Sequence, residues 1–171
     1  GGLDILVPNV SALAVTNNES SWRAGFDTDL MGTFHAVESA MPHLEASENG
    51  SVVLVASTAA LEIYLGPRPY NSVKAALVAY GKGLSRDFAS KGMRANIVSP
   101  GSIYFEGGVW GDAKANAPEV YSTMLKRNPM GRMGSPEEVA NAVVFLASPA
   151  ASFISGTNLV VDGALTRRVQ Y

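Results

Sequence analysis

An α/β fold, a parallel sheet with helices on both faces, is predicted by three features of this 171-residue chain. Short apolar runs of strand length alternate with longer segments of helical period, strand–helix–strand throughout. The first of these runs is almost continuously apolar, the pattern of a strand covered on both faces. Hydrophobic residues make up 47% of the chain, enough to build a real core at this length.

The elements follow in order. "LDILVPNV" is the first strand, expected to be buried. A helix is expected from about Trp22 to Leu44, with Phe26, Leu30, Phe34, Val37 and Met41 at three- and four-residue spacing on its inner face. "GSVVLVAS" (50–57) is the second strand, entered through the turn-like "SENG". A loop with Gly66, Pro67 and Pro69 leads to a long helix from about Tyr70 to Ser90. "KGMRANIVSPGS" supplies a glycine turn and a third strand that stops at Pro100-Gly101. Residues 102–133 are irregular, aromatic and glycine-rich, and read as a substrate-binding loop or lid carrying short helices. "SPEEVANAVVFLAS" opens a helix, with Ser135 as cap, Pro136 at the first helical position and Glu138 completing a capping box. "GTNLVVDG" is the last strand. No internal repeat, low-complexity tract or linker interrupts the chain, so 1–171 reads as a single domain or part of one.

The composition narrows the function classes. A net charge of −2 with 16% charged residues gives no electrostatic footprint for nucleic acid. The absence of cysteine removes disulfides, thiolate metal sites and cysteine nucleophiles, and is compatible with the cytoplasm. No run approaches the roughly 18 apolar residues of a membrane span, and "GGLDILVPNV" lacks the basic region of a signal peptide. His35 and His43, eight residues apart on one helix, make no metal site. The six methionines are scattered gap-fillers, and the charges of "SRDF" and "LTRRVQY" are solvated surface. Tyr104, Phe105 and Trp110 either line a substrate pocket or pack the lid onto the body.

In a doubly wound sheet, ligands gather beyond the carboxyl ends of the strands. Asn9, Ser57, Pro100-Gly101 and Asp162-Gly163 fall at such ends. Tyr70 and Lys74, in "YNSVK", open the helix after the second strand, and residues four apart share one helix face. Alone, that pair is ordinary helix decoration; Ser57, thirteen positions upstream at a strand end, turns it into a candidate site.

With these residues in place the sequence resembles the short-chain dehydrogenase/reductases. Their signature is Tyr-x-x-x-Lys preceded by a catalytic serine at about this distance, matched by Ser57, Tyr70 and Lys74. "DILVPNVS" resembles the family's strand ending in Asn-Asn-Ala-Gly, "DLMGTF" its Asn-x-x-Gly-x-Phe helix segment, and "RANIVSPGSI" its strand ending in Pro-Gly-x-Ile. The stretch from "GRMGSPEEVA" to "VVDGAL" resembles its C-terminal helix, strand and turn. The resemblance implies a Rossmann-like fold and hydride transfer between NAD or NADP and a small-molecule alcohol or ketone. It implies Tyr70 as general acid/base, Lys74 holding the ribose and lowering the tyrosine pKa, and Ser57 stabilising the substrate oxygen. Ile103, after Pro100 and Gly101, would meet the nicotinamide amide, and Asn9 would support the wall beside the adenosine ribose. A homo-oligomer, dimer or tetramer, is expected on the same ground, with no metal, nucleic acid or membrane partner.

Several positions depart from the family pattern. Asp29 stands where the family has an asparagine that holds a water in the proton relay. As a carboxylate it accepts hydrogen bonds without donating, so it holds a water near Lys74, pairs with the lysine directly, or is a polar helix residue without a role. "PNVS" replaces Asn-Asn-Ala-Gly: Pro8 lacks an amide donor, and Ser11 replaces a flexible glycine. Phe105 replaces a hydroxyl-bearing residue. The glycine-rich dinucleotide fingerprint is absent, which reads as a chain that starts partway through a longer protein rather than a stand-alone half-domain. Two other functions stay open: a non-catalytic family member serving as a binding or structural subunit, and, more weakly, a serine hydrolase using Ser57 with Lys74. The hydrolase reading lacks a Gly-x-Ser-x-Gly elbow.

Overall fold

The computed structural model describes residues 1–63 and 66–169. Four parallel strands form one sheet in the order β1 (Ile5–Leu6), β2 (Ser51–Val55), β3 (Arg94–Pro100), β4 (Asn158–Val161). The register pairs Ile5 with Ser51, Val52 with Ala95, and Val98 with Leu159. Between β1 and β2 run α1 (Glu19–Gly25), a π-helical segment (Phe26–Met31) and α2 (Gly32–Glu45). Helix α3 (Pro69–Ala89) joins β2 to β3. The link from β3 to β4 holds α4 (Val109–Asn116), α5 (Pro118–Arg127) and α6 (Pro136–Ala147), so residues 102–133 do carry two short helices.

The period-two alternation of the central strands divides the core into two layers. Val52, Leu54, Ala95 and Ile97 face α2 and α3, meeting Val37, Leu44, Leu84 and Phe88. Val53 and Val98 face the other way, onto Leu146 and Ala147 of α6 and onto Ala151. Full burial of side chains of this size stabilises by about 1.5–3 kcal/mol each. Two polar residues lock the edges of this packing. Buried Asn96 donates to the Ile154 carbonyl (2.8 Å) and accepts from the Thr157 amide (3.1 Å). Arg94 donates to the carbonyls of Leu146, Ala147 and Ser148, which satisfies the open C-terminal end of α6. The start of α6 has Pro136 at its first position, and the Ser135 amide donates to Glu138 Oε2 at 2.9 Å.

Two expectations are corrected. The first strand is only two residues long and lies at the edge of the sheet formed by the described residues, with Ile5 and Val7 45% and 37% exposed. The inner face of the first helical stretch is not the Phe26–Leu30–Phe34 stripe: Phe26 and Phe34 are exposed, and the inward line runs Gly25, Asp29, Thr33, Val37, Ala40, Leu44. The π segment is the cause. Its Gly32 amide bonds the Asp27 carbonyl five residues back, which widens the turn and carries Asp29 into the interior. Val37 lies inside as expected, and Met41 packs partly buried against the same layer.

Candidate active site

The site is built at the carboxyl end of β2. Ser57, in extended backbone, caps a short 3-10 turn, and its Oγ accepts from the Ala59 amide at 3.1 Å. Proline at the first position of α3 fixes where that helix begins, and the Tyr70 amide donates to the Ala14 carbonyl at 3.1 Å. The helix face then presents Tyr70 and Lys74 together, the ammonium 5.6 Å from the centre of the tyrosine ring. The Ser57 hydroxyl lies close enough to the Tyr70 phenol to lower its pKa. Lys74 is buried; its Nζ donates to the Val55 carbonyl and to Asp29 Oδ1, each at 3.2 Å. Asp29, 1% exposed, also accepts from the Ser11 hydroxyl at 2.6 Å and from the Ala12 amide at 2.8 Å.

Four of the residues singled out in the sequence, Ser57, Tyr70, Lys74 and Asp29, thus lie together, with Lys74 and Asp29 directly paired. Asn9 stays outside this group, exposed beyond the end of β1. Ser11 was noted in the sequence only as a replaced glycine. Its bond to Asp29 spans 18 positions and had no local signal.

Pro100, Gly101 and Ile103 sit at the next strand end. The Gly101 amide donates to the Val161 carbonyl at 2.9 Å, and a Cβ there would lie 2.7 Å from that of Asp162, so a side chain would force β3 and β4 apart. Ile103 bridges in parallel to Gly134, with the Gly134 amide on the Ser102 carbonyl (3.0 Å) and the Tyr104 amide on the Gly134 carbonyl (2.8 Å). A cavity of about 350 Å³ opens beside them, lined by Ser102, Ile103, Asn128, Met130, Asp162 and Gly163 among others. Asn128, which carries no sequence signal, is buried and ties Met130 to the Asp162 carbonyl.

Burial pushes the Tyr70 phenol above its ordinary value; the Ser57 hydroxyl pulls it down, and the Asp29 charge adds to the rise. Burial also lowers Lys74, with the Asp29 charge and hydrogen bond working against that fall. The net direction for the Tyr70 phenol among these residues is upward, led by its burial.

Residues 1–166 match a family model described as enoyl-(acyl carrier protein) reductase. The chain belongs to the short-chain dehydrogenase/reductase family. Among the relatives of this short-chain dehydrogenase/reductase is isoepoxydon dehydrogenase patN of Penicillium expansum, 37% identical over the whole chain and 66% of the relative. Another is the 3-oxoacyl-[acyl-carrier-protein] reductase FabG of Thermotoga maritima, 33% identical over 96% of this chain and 67% of that one. A Burkholderia thailandensis oxidoreductase of the family superposes with a TM-score of 0.88 at 32% identity, covering 96% of this chain and 65% of that one. A 7α-hydroxysteroid dehydrogenase complexed with NADH and a 7-oxo bile acid gives 0.85 at 30% identity, covering 95% and 64%. The chain spans about two-thirds of the length of these proteins. Among the described residues no helix is long and apolar enough to cross a membrane.

Proposed function

We propose that this chain supplies the catalytic part of an oxidoreductase that transfers a hydride between NAD or NADP and a small-molecule alcohol or ketone. The observation that carries the reading is the meeting of Ser57, Tyr70 and Lys74 beside one strand end, where a hydroxyl from the end of β2 adjoins a phenol and an ammonium on one face of α3.

The residues fit the nicotinamide-ribose half of such a cofactor. Lys74 has three N–H donors, and two are used, on Val55 and Asp29. The third suits a ribose hydroxyl. Pro100, Gly101 and Ile103 offer backbone at the adjoining strand end, where family resemblance puts the nicotinamide amide; Asn9 belongs to the wall farther along. The glycine-rich turn for the pyrophosphate is not among these residues. When bound, the cofactor supplies the hydride donor or acceptor.

The side chains do the rest. In the reducing direction Tyr70 Oη donates its proton to the carbonyl oxygen as that oxygen becomes negative, and the Ser57 hydroxyl stabilises the same developing charge. In the oxidising direction the phenolate of Tyr70 takes the carbinol proton. Lys74 holds the ribose and offsets the phenolate charge. Residues 102–133 form the wall over the substrate, and homo-oligomer formation is part of the same proposal.

The test is Tyr70→Phe in the full-length protein. Turnover monitored through NAD(P)H absorbance falls by about 10²-fold or more, while NAD(P)H fluorescence still reports cofactor binding. Turnover at the unsubstituted rate would remove Tyr70 from the acid/base role.

A further inference from the structure

We propose that Ser11, the Ala12 amide and Asp29 form a carboxylate clamp on Lys74 that opposes the ammonium's support of a Tyr70 phenolate. The proposal rests on the acid/base reading of Tyr70 and deepens it.

The clamp is a closed chain of contacts. Ser11 Oγ accepts from the Leu13 amide (3.1 Å) and donates to Asp29 Oδ1 (2.6 Å); the Ala12 amide takes the other carboxylate oxygen (2.8 Å). Asp29 Oδ1 then meets Lys74 Nζ at 3.2 Å. The loop that supplies these donors is bent to reach the carboxylate: Leu13 adopts φ +47°, a left-handed conformation that a branched side chain disfavours. Its next residue, buried Ala14, accepts the Tyr70 amide, so the same loop seats both the clamp and the start of α3. Asp29 owes its inward place to the π segment, and the Thr33 hydroxyl donates to its carbonyl at 2.6 Å.

Among the described residues, Asp29 is the carboxylate paired with Lys74. Asp27 on the π segment is exposed, and Glu19 and Arg23 of α1 pair with each other at the surface. Strand β2 is uncharged, and Arg94 of β3 bonds carbonyls at the C-terminal end of α6. Past the 3-10 turn, Glu62 accepts the Arg167 and Arg168 amides. With Tyr70, Lys74 and Asp29 in contact, protons leave as from a coupled group. Taking away the carboxylate charge makes the first proton of the Tyr70–Lys74 pair easier to lose, whichever group gives it up. Asp29 and Ser11 are positioning residues, since they act on the phenol through Lys74 and through the local field.

The experiment is a pH titration of tyrosine Cζ labelled with ¹³C, followed by NMR without cofactor or substrate, with the Tyr70 signal assigned from Tyr70→Phe. In Asp29→Asn the Tyr70 midpoint falls by about one pH unit. In Ser11→Ala, where the carboxylate loses a donor that shields it, the midpoint rises by a smaller amount. An unmoved midpoint in Asp29→Asn, with circular dichroism showing the fold retained, overturns the proposal; if Asp29→Asn does not fold, an unmoved midpoint in half-buried Ser11→Ala does so. Because no turnover is read, a shifted midpoint in a protein that oxidises no alcohol would keep the clamp and defeat the oxidoreductase reading. Normal turnover with a fixed midpoint would do the reverse.

Discussion

Tyr70 and Lys74 sit one helical turn apart, and the lysine is met by a third residue 41 positions before the tyrosine. Asp29 is paired with Lys74 at 3.2 Å and both are buried, so the lysine charge is offset inside the protein. The consequence for pH follows from the sign of the tyrosine shift, which is upward through burial first and the Asp29 charge in addition. A raised pKa keeps the phenol protonated at neutral pH. Carbonyl reduction, which needs the protonated form, therefore holds its rate through neutral pH and falls only as pH climbs through the tyrosine pKa. Alcohol oxidation needs the phenolate and rises over the same alkaline window. Profiles of kcat/KM in the two directions check this, and an oxidation rate already flat below pH 7 would contradict it. Ser57, Tyr70 and Lys74 were readable because their spacing is local and the resemblance names them. The pairing of Asp29 was one of three open readings, and only the distance chose among them.

At the scale of elements, helix α3 carries the site and its closeness to the sheet fixes the site's depth. That closeness depends on Gly81, whose Cβ, if added, would lie 2.7 Å from Ile97 Cγ1 and 3.1 Å from Leu54 Cδ1. Gly81→Val lifts α3 off β2 and β3. Overpacking of this kind costs about 1–3 kcal/mol, read as a lowered midpoint in urea unfolding, with turnover reduced because Tyr70 and Lys74 move with the helix. An unchanged midpoint would mean that the helix has room there. Most elements were legible in the sequence: β3 ends at Pro100, α3 spans Pro69–Ala89, and Pro136 opens α6. The π segment was not, since a register change of one residue leaves no mark in the spacing of Phe26, Leu30 and Phe34, and it reversed which of the residues faced inward.

For the whole molecule, the chain corresponds to about two-thirds of its relatives, and its apolar surface is distributed accordingly. Ile5 and Val7 at the β1 edge adjoin Val144 of α6 around an apolar cavity of about 350 Å³. An exposed apolar strand edge is a template for pairing. The chain by itself is expected to associate as concentration rises, and Ile5→Lys to reduce that association, as measured by sedimentation velocity. A monomer at all concentrations would count against it. Arg167 and Arg168, read as solvated surface, are exposed, with their amides held by Glu62; the last two residues of that stretch, 170 and 171, lie outside the described residues.

The sequence by itself determined the order of strands and helices, the two-sided core and the candidate trio of serine, tyrosine and lysine. Each of these is a matter of local period, of punctuation by proline and glycine, or of fixed spacing along one element. Tertiary structure alone decided that Asp29 turns inward, and that Ser11 and Ala12 hold it on Lys74. Those outcomes depend on which distant segments share a volume too small for water, and there an unpaired carboxylate or ammonium is too costly to leave alone.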